Sequence, residues 1–126
     1  MSKASRSNFG NLPDGREIES IVLTNGPWSA EFLTQGAILR SWLWPVAGGS
    51  SLDVVLGCAS AADYAADTSY HGAVVGRYGN RIAAGKFVLD GVTYSLPINN
   101  GPHHLHGGSP GFDKAIWDAT ILAGVP

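Results

Sequence analysis

Charge is scarce in this chain. Asp, Glu, Lys and Arg make up only 14% of its 126 residues, against an average of about 25%. Ten acidic residues against eight basic ones leave a net charge of −2. With no basic stripe, nucleic-acid binding is excluded as the main task. Cysteine is nearly absent. Cys58 stands alone, so no internal disulfide can form and nothing demands an oxidising compartment. Its neighbours Leu56, Gly57 and Ala59 are small or apolar, which favours a buried structural thiol over a reactive nucleophile. No run approaches the ~18 apolar residues of a membrane span. The polar stretch from Met1 to Leu12 lacks the apolar centre of a signal peptide. A cytoplasmic protein with no membrane partner is the expectation.

Glycine is the excess: 17 residues, or nearly twice the usual ~7%. Hydrophobic residues at 44% are enough for a core. Residues 1–8 are expected to form a disordered tail, followed by one domain over 9–126. Leu12-Pro13-Asp14-Gly15 reads as a turn. Short β-prone runs follow at Ser20–Thr24, Trp28–Leu33, Ala37–Trp44 and Asp53–Leu56, each bounded by Gly, Pro, Asn or Asp. Strict alternation in the third run puts Ile38, Arg40, Trp42 and Trp44 on one face and Leu39, Ser41 and Leu43 on the other. Ser60–Asp67 is Ala-rich and suits one or two helical turns. Asp90-Gly91 between Lys86–Leu89 and Val92–Ser95 marks a two-residue hairpin. Ala115–Leu122 reads as a last strand. The fold class is all-β, an antiparallel β-sandwich or barrel.

Two segments are not explained by strand-making. The first is Gly76-Arg77-Tyr78-Gly79-Asn80-Arg81-Ile82. Arginine is a planar multi-donor fork for carboxylates, phosphates or vicinal hydroxyls. A phosphate loop at Gly79 to Lys86 fails, because five residues separate the glycines where four are needed and Phe87 replaces the Mg²⁺-binding Ser or Thr. A strand-end salt bridge is the structural alternative for Arg81. The second segment, Asn99 to Gly108, holds three of the four histidines. If it is extended, His104 and His106 share a face and His103 takes the other. Metal ligands, solvated loop histidines and neutral imidazoles in a polar cleft all fit that pattern. A cupin-like site would need a Glu where Pro110 and Gly111 stand.

At these segments the sequence resembles the N-terminal portion of the aldose 1-epimerase (galactose mutarotase) family. The matching features run in order: Phe9-Gly10 with Leu12-Pro13-Asp14-Gly15, Gln35-Gly36-Ala37, Asp53 to Gly57 with Tyr64, Gly76 to Ile82, Phe87 to Tyr94, Leu96 to Asn100, Leu105-His106-Gly107-Gly108, and Gly111-Phe112-Asp113-Lys114 with Trp117. Gly79 stands where many relatives carry alanine. The resemblance implies a β-sandwich of the galactose mutarotase-like type, incomplete in this chain, that interconverts the α and β anomers of aldohexoses such as galactose and glucose without metal or cofactor. It implies that Asn80 and Arg81 bind sugar hydroxyls and that His106 contacts the sugar near its ring oxygen. Tyr78 or a Trp would stack on the sugar. The family's glutamate base and histidine acid lie in later sequence. Glu17, Glu19 and Glu31 are the only glutamates here and His71 the only histidine outside the cluster, and none matches those motifs. Catalytic residues are therefore expected to be absent. A partly copied epimerase, a carbohydrate-binding fragment and an inactive remnant all remain open. Exposed sheet edges suit a second copy or a completing chain.

Overall fold

The computed structural model describes residues 2–122. Strands β1 (Ser2–Asn11), β2 (Glu17–Asn25), β3 (Trp28–Leu33), β4 (Ile38–Pro45) and β5 (Ser51–Asp53) form one antiparallel sheet in the order β1-β2-β3-β4-β5. Helix α1 (Ala61–Ala66) follows. Two small antiparallel pairs complete the set: β6 (Arg81–Ile82) with β9 (His104–Leu105), and the hairpin of β7 (Lys86–Leu89) and β8 (Val92–Ser95). The hairpin turn is where the sequence places it, with Asp90 and Gly91 at φ 51° and 77°, the pair of positive values that such a turn requires. The architecture is all-β and antiparallel apart from α1 and two short 3-10 turns.

The core lies on one face of the five-stranded sheet. Ile18, Leu33 and Ile38 pack there with Leu12, Ala61 and Tyr64. Tyr64 is 1% exposed, and its hydroxyl accepts the Cys58 N–H at 3.0 Å. Ser60 caps α1 by accepting the Asp63 N–H at 3.2 Å. Lys114 closes the other end, its Nζ donating to the carbonyls of Tyr64 at 2.9 Å and Asp67 at 2.7 Å. Cys58 is half-buried against this core, and burial raises its thiol pKa. That is the structural thiol read from its neighbours.

Four sequence expectations need correction. Residues 2–8 are not a tail: they belong to β1, paired with β2 from Ser2↔Asn25 to Asn8↔Glu19. Polar side chains misled there, because an edge strand needs only backbone pairing and Leu12 anchors its end. Met1 lies outside the described residues. The short strand expected at Asp53–Leu56 sits earlier, at Ser51–Asp53. The alternation of β4 breaks at a bulge, since Leu39 pairs with Phe32 but Ser41 with Glu31, leaving Arg40 as the extra residue. Ile38 therefore faces the core while Trp42 and Trp44 turn to the opposite face, opposite Ala30 and, across the strand, in contact with Trp28. Finally, Ala115–Leu122 forms no strand over its described part. Ile116 makes one bridge to Gln35, and Trp117 donates to the Thr34 carbonyl at 2.8 Å. Beyond that the described backbone has no strand beside it, and the Arg6 side chain takes the Ala119 carbonyl. Residues 123–126 lie outside the described part.

The contact that ties the sheet to the rest runs through Gly36. Its φ is +63°, and a Cβ there would meet the Asp113 carbonyl oxygen at 2.5 Å. Only glycine allows this approach. The Gly36 N–H then donates to the Ala115 carbonyl at 2.8 Å. The Gln35-Gly36-Ala37 motif thus clamps the end of the sheet to the segment that follows the histidine cluster.

Candidate functional site

The short β6–β9 ladder brings together the two segments singled out in the sequence. Arg81 pairs with Leu105 and Ile82 with His104. Just beyond the ladder, Asn80 and His106 hold each other. The Asn80 N–H donates to His106 Nδ1 at 2.9 Å, and the His106 N–H donates to the Asn80 carbonyl at 3.0 Å. Both residues are in the left-handed region, with φ of 64° and 51°. That conformation strains non-glycine residues and is held here by reciprocal bonds. An imidazole nitrogen that accepts an amide N–H carries no proton. In the neutral ring of His106 the proton is therefore on Nε2. The Tyr70 ring stands edge-on to that imidazole, centroids 4.8 Å apart.

Arg81 is positioned without any acid. Its Nε donates to Asn100 Oδ1 at 3.0 Å and one Nη to Asn80 Oδ1 at 3.2 Å. Among the described residues no carboxylate lies within ion-pair distance of it. The strand-end salt bridge weighed from the sequence is thus replaced by two neutral carboxamides. The guanidinium is exposed, and among the described residues only its Nε and one Nη donate to side chains. Arg77 does a different job, lying 5.5 Å over the Phe112 ring.

The histidine cluster splits into three roles. His106 bends out of the extended conformation at φ 51°, so it does not continue the strand face of His104. His104 is 4% exposed, with Nδ1 2.8 Å from the Pro97 carbonyl, a bond that requires the proton on Nδ1. His103 Nδ1 accepts the Ala84 N–H at 3.3 Å. Each ring thus spends a nitrogen on a different piece of backbone. Gly107 makes the site possible: at φ +90° it lies against the Gly76 carbonyl, where a Cβ would overlap the oxygen outright. This contact locks the Leu-His-Gly-Gly segment onto the start of the Gly-Arg-Tyr segment.

Three residues that sequence reasoning did not place at the site emerge here. Asn99 mimics a strand, its Oδ1 accepting the Leu105 N–H at 2.7 Å and its Nδ2 donating to the Leu105 carbonyl at 2.9 Å. Asn100 orients Arg81. Tyr70, rather than the exposed Tyr78, is the aromatic ring beside His106. Asn99 and Asn100 had only their place in the unexplained Asn99–Gly108 segment as a signal, and Tyr70 had none. Glu31 is elsewhere, bound to Arg40 at 2.5 Å and accepting from Ser20 at 2.7 Å. His71 is exposed, 3.8 Å from Asp67.

The result is an open polar shelf offering an unneutralised guanidinium, a carboxamide and a neutral imidazole. Such a set can donate to and accept from the hydroxyls of an uncharged polyol. Comparisons with known proteins give the family of the chain. The sequence profile of the family described as Aldose 1-epimerase matches residues 19–123. The galactose mutarotase of Sus scrofa is 42% identical over 124 residues, covering 98% of this chain and 36% of that protein. The aldose 1-epimerase of Escherichia coli K12 is 40% identical over 106 residues, covering 83% of this chain and 31% of that protein. Among solved structures, galactose 1-epimerase from Lactobacillus acidophilus NCFM superposes with a TM-score of 0.76 at 27% identity, covering 94% of this chain and 34% of that one. The GalM/aldose epimerase homologue from C. elegans gives 0.74 at 29% identity, with 96% and 33% covered. The chain spans about a third of the length of these relatives. Profile, identity and superposition agree that this chain belongs to the aldose 1-epimerase family.

Proposed function

We propose that this chain supplies part of the sugar site of a mutarotase acting on aldohexoses such as galactose and glucose. In this reading Arg81 and Asn80 bind ring hydroxyls, and His106 donates Nε2–H towards the ring oxygen. The observation that carries it is the reciprocal Asn80–His106 pair beside an Arg81 with no acidic partner among the described residues. A phosphate or carboxylate ligand would match the free charge as well, but neutral carboxamides and imidazole around it suit a neutral polyol better.

Mutarotation opens the hemiacetal. A base takes the proton of the C1 hydroxyl while an acid protonates the ring oxygen; the aldehyde then rotates about C1–C2 and closes on its other face. His106 and Arg81 would hold the ring and favour charge developing on its oxygen. The base is not offered by this chain's glutamates: Glu31 is committed to Arg40 and Ser20, Glu17 accepts from Asn8 at 2.6 Å, and Glu19 lies 3.5 Å from Arg6. That commitment favours a second reading for the chain on its own, sugar binding without turnover. A completing chain would pack on the apolar surface left open, where Trp42, Trp44 and Leu52 are 42%, 46% and 57% exposed. Placement in the cytoplasm accords with the lone half-buried thiol.

Galactose titrated into the isotopically labelled chain should shift the Asn80, Arg81 and His106 resonances, and polarimetry of α-D-glucose should show no rate above buffer. Turnover by the chain alone would remove the need for an outside base. No resonance shift at saturating sugar would overturn the site.

A further inference from the structure

Asn99 and Asn100 are adjacent in sequence and do unrelated work. Asn99 spends its carboxamide on the Leu105 backbone. Asn100 turns its Oδ1 to Arg81 Nε at 3.0 Å. Its own backbone is pinned for that purpose. Asn100 and His103 exchange both main-chain hydrogen bonds, at 3.1 and 3.0 Å, around Gly101-Pro102. Gly101 takes φ +53°. His103 then fastens this tight turn to the Ala84 N–H. The Asn100 side chain is thus held by a closed two-residue turn, itself anchored to the 3-10 turn that follows the strand bearing Arg81.

We infer that Asn100 is a positioning residue for sugar recognition, acting through Arg81. A guanidinium on an exposed strand end has several rotamers, and each bond to sugar must otherwise be made at the cost of freezing them. Asn100 Oδ1 takes the Nε proton and Asn80 Oδ1 takes one Nη proton. Together they set the plane of the fork and leave the remaining donors pointing to one side. A carboxylate at position 100 would do the same with charge. The neutral amide orients the guanidinium without competing for it as strongly as an ion pair. The inference rests on the sugar-site reading above.

The test separates the two. In the Asn100→Leu variant, of similar size but with no acceptor, the Arg81 Nε–H resonance should shift and exchange faster with water. Galactose affinity should fall by about tenfold, the loss of one charge-assisted bond's worth of order. The melting temperature should stay at the wild-type value. Asn100→Asp, which keeps the acceptor, should restore the protected Nε–H and bring affinity back to within about threefold of wild type. A fall in melting temperature with an unchanged Nε–H signal would make Asn100 merely structural. Equal galactose affinity in wild type and Asn100→Leu would also overturn the inference. If the wild type binds no galactose, the sugar-site reading fails and the role of Asn100 in affinity fails with it. The Nε–H signal still decides the Asn100–Arg81 contact by itself.

Discussion

Replacing Asn99 by alanine removes two hydrogen bonds and adds nothing. The Leu105 N–H loses its partner at 2.7 Å, while the Leu105 carbonyl loses Asn99 Nδ2 at 2.9 Å but keeps the Gly108 N–H at 2.9 Å. Leu105 is only 7% exposed, so water replaces those partners poorly. The orphaned N–H costs about 1–3 kcal/mol and the carbonyl's lost second bond about 0.5–1.5 kcal/mol, together about 1.5–4.5 kcal/mol. Unfolding entropy of about 2.1 cal/mol/K per residue over 126 residues makes that a fall in melting temperature of about 6–17 °C. Asn99→Asp sharpens the test. Its acceptor oxygen still serves the Leu105 N–H, but the other oxygen now faces the Leu105 carbonyl. Ionised, it repels; protonated, it donates. The folded-state pKa is therefore raised above the unfolded value of about 3.9. Stability is then fully present below that unfolded value and is lost as pH rises through the folded one. Urea unfolding at pH 3.5 and pH 7, each referred to wild type, reads both effects. The reasoning is refuted if Asn99→Ala costs less than about 0.5 kcal/mol, or if the Asp variant trails wild type equally at both pH values.

Four further outcomes follow from single contacts. Gly79 has open space around its would-be Cβ and no positive φ, so Gly79→Ala should stabilise by about 0.4–1 kcal/mol through the unfolded chain; a lower melting temperature contradicts this. Gly107→Ala meets the Gly76 carbonyl at φ +90° and should cost more than about 3 kcal/mol while erasing galactose-induced shifts; a folded variant with wild-type stability would count against the clamp. Lys114→Met removes two bonds from Nζ to the end of α1 and should lower stability by about 1–3 kcal/mol, with faster amide exchange confined to residues 64–67 if the capping account holds. Cys58, its thiol pKa raised by burial, carries less thiolate at pH 8 than a free cysteine and should be alkylated more slowly by iodoacetamide; a rate equal to free cysteine means the thiol is open.

The strands with turn residues at both ends were legible, because the signals there are local. Trp28–Leu33 and the Lys86–Ser95 hairpin fall where the sequence puts them. What failed depended on neighbours. Polarity hid β1, since its side chains from Lys3 to Asn8 are exposed while its backbone pairs with β2 along one edge. The bulge at Arg40 reversed the expected faces of β4, and nothing within residues 38–45 encodes it; Glu31 and Cys58 hold Arg40 out of the ladder. At the site, Asn80, Arg81 and His106 were legible as motif members and do converge. Their supporting residues were not, because Asn100 lies 19 positions from Arg81 and Tyr70 reaches His106 only through the fold. The strictly extended reading of His104 and His106 failed at a backbone angle that an isolated histidine signal does not carry.

The bulge at Arg40 also gives the molecule an optical reporter. Trp28 and Trp44 touch at 4.3 Å between centroids and Trp42 lies 6.4 Å from Trp44, so excitation absorbed by any one of these indoles is shared among the three. The fourth, Trp117, sits against Phe112 at the other end of the fold. Emission from the trio therefore reports on whatever comes to cover the outer sheet face. Emission from Trp117 reports on the segment that braces the histidine cluster, and a soluble quencher distinguishes the two signals without any added label.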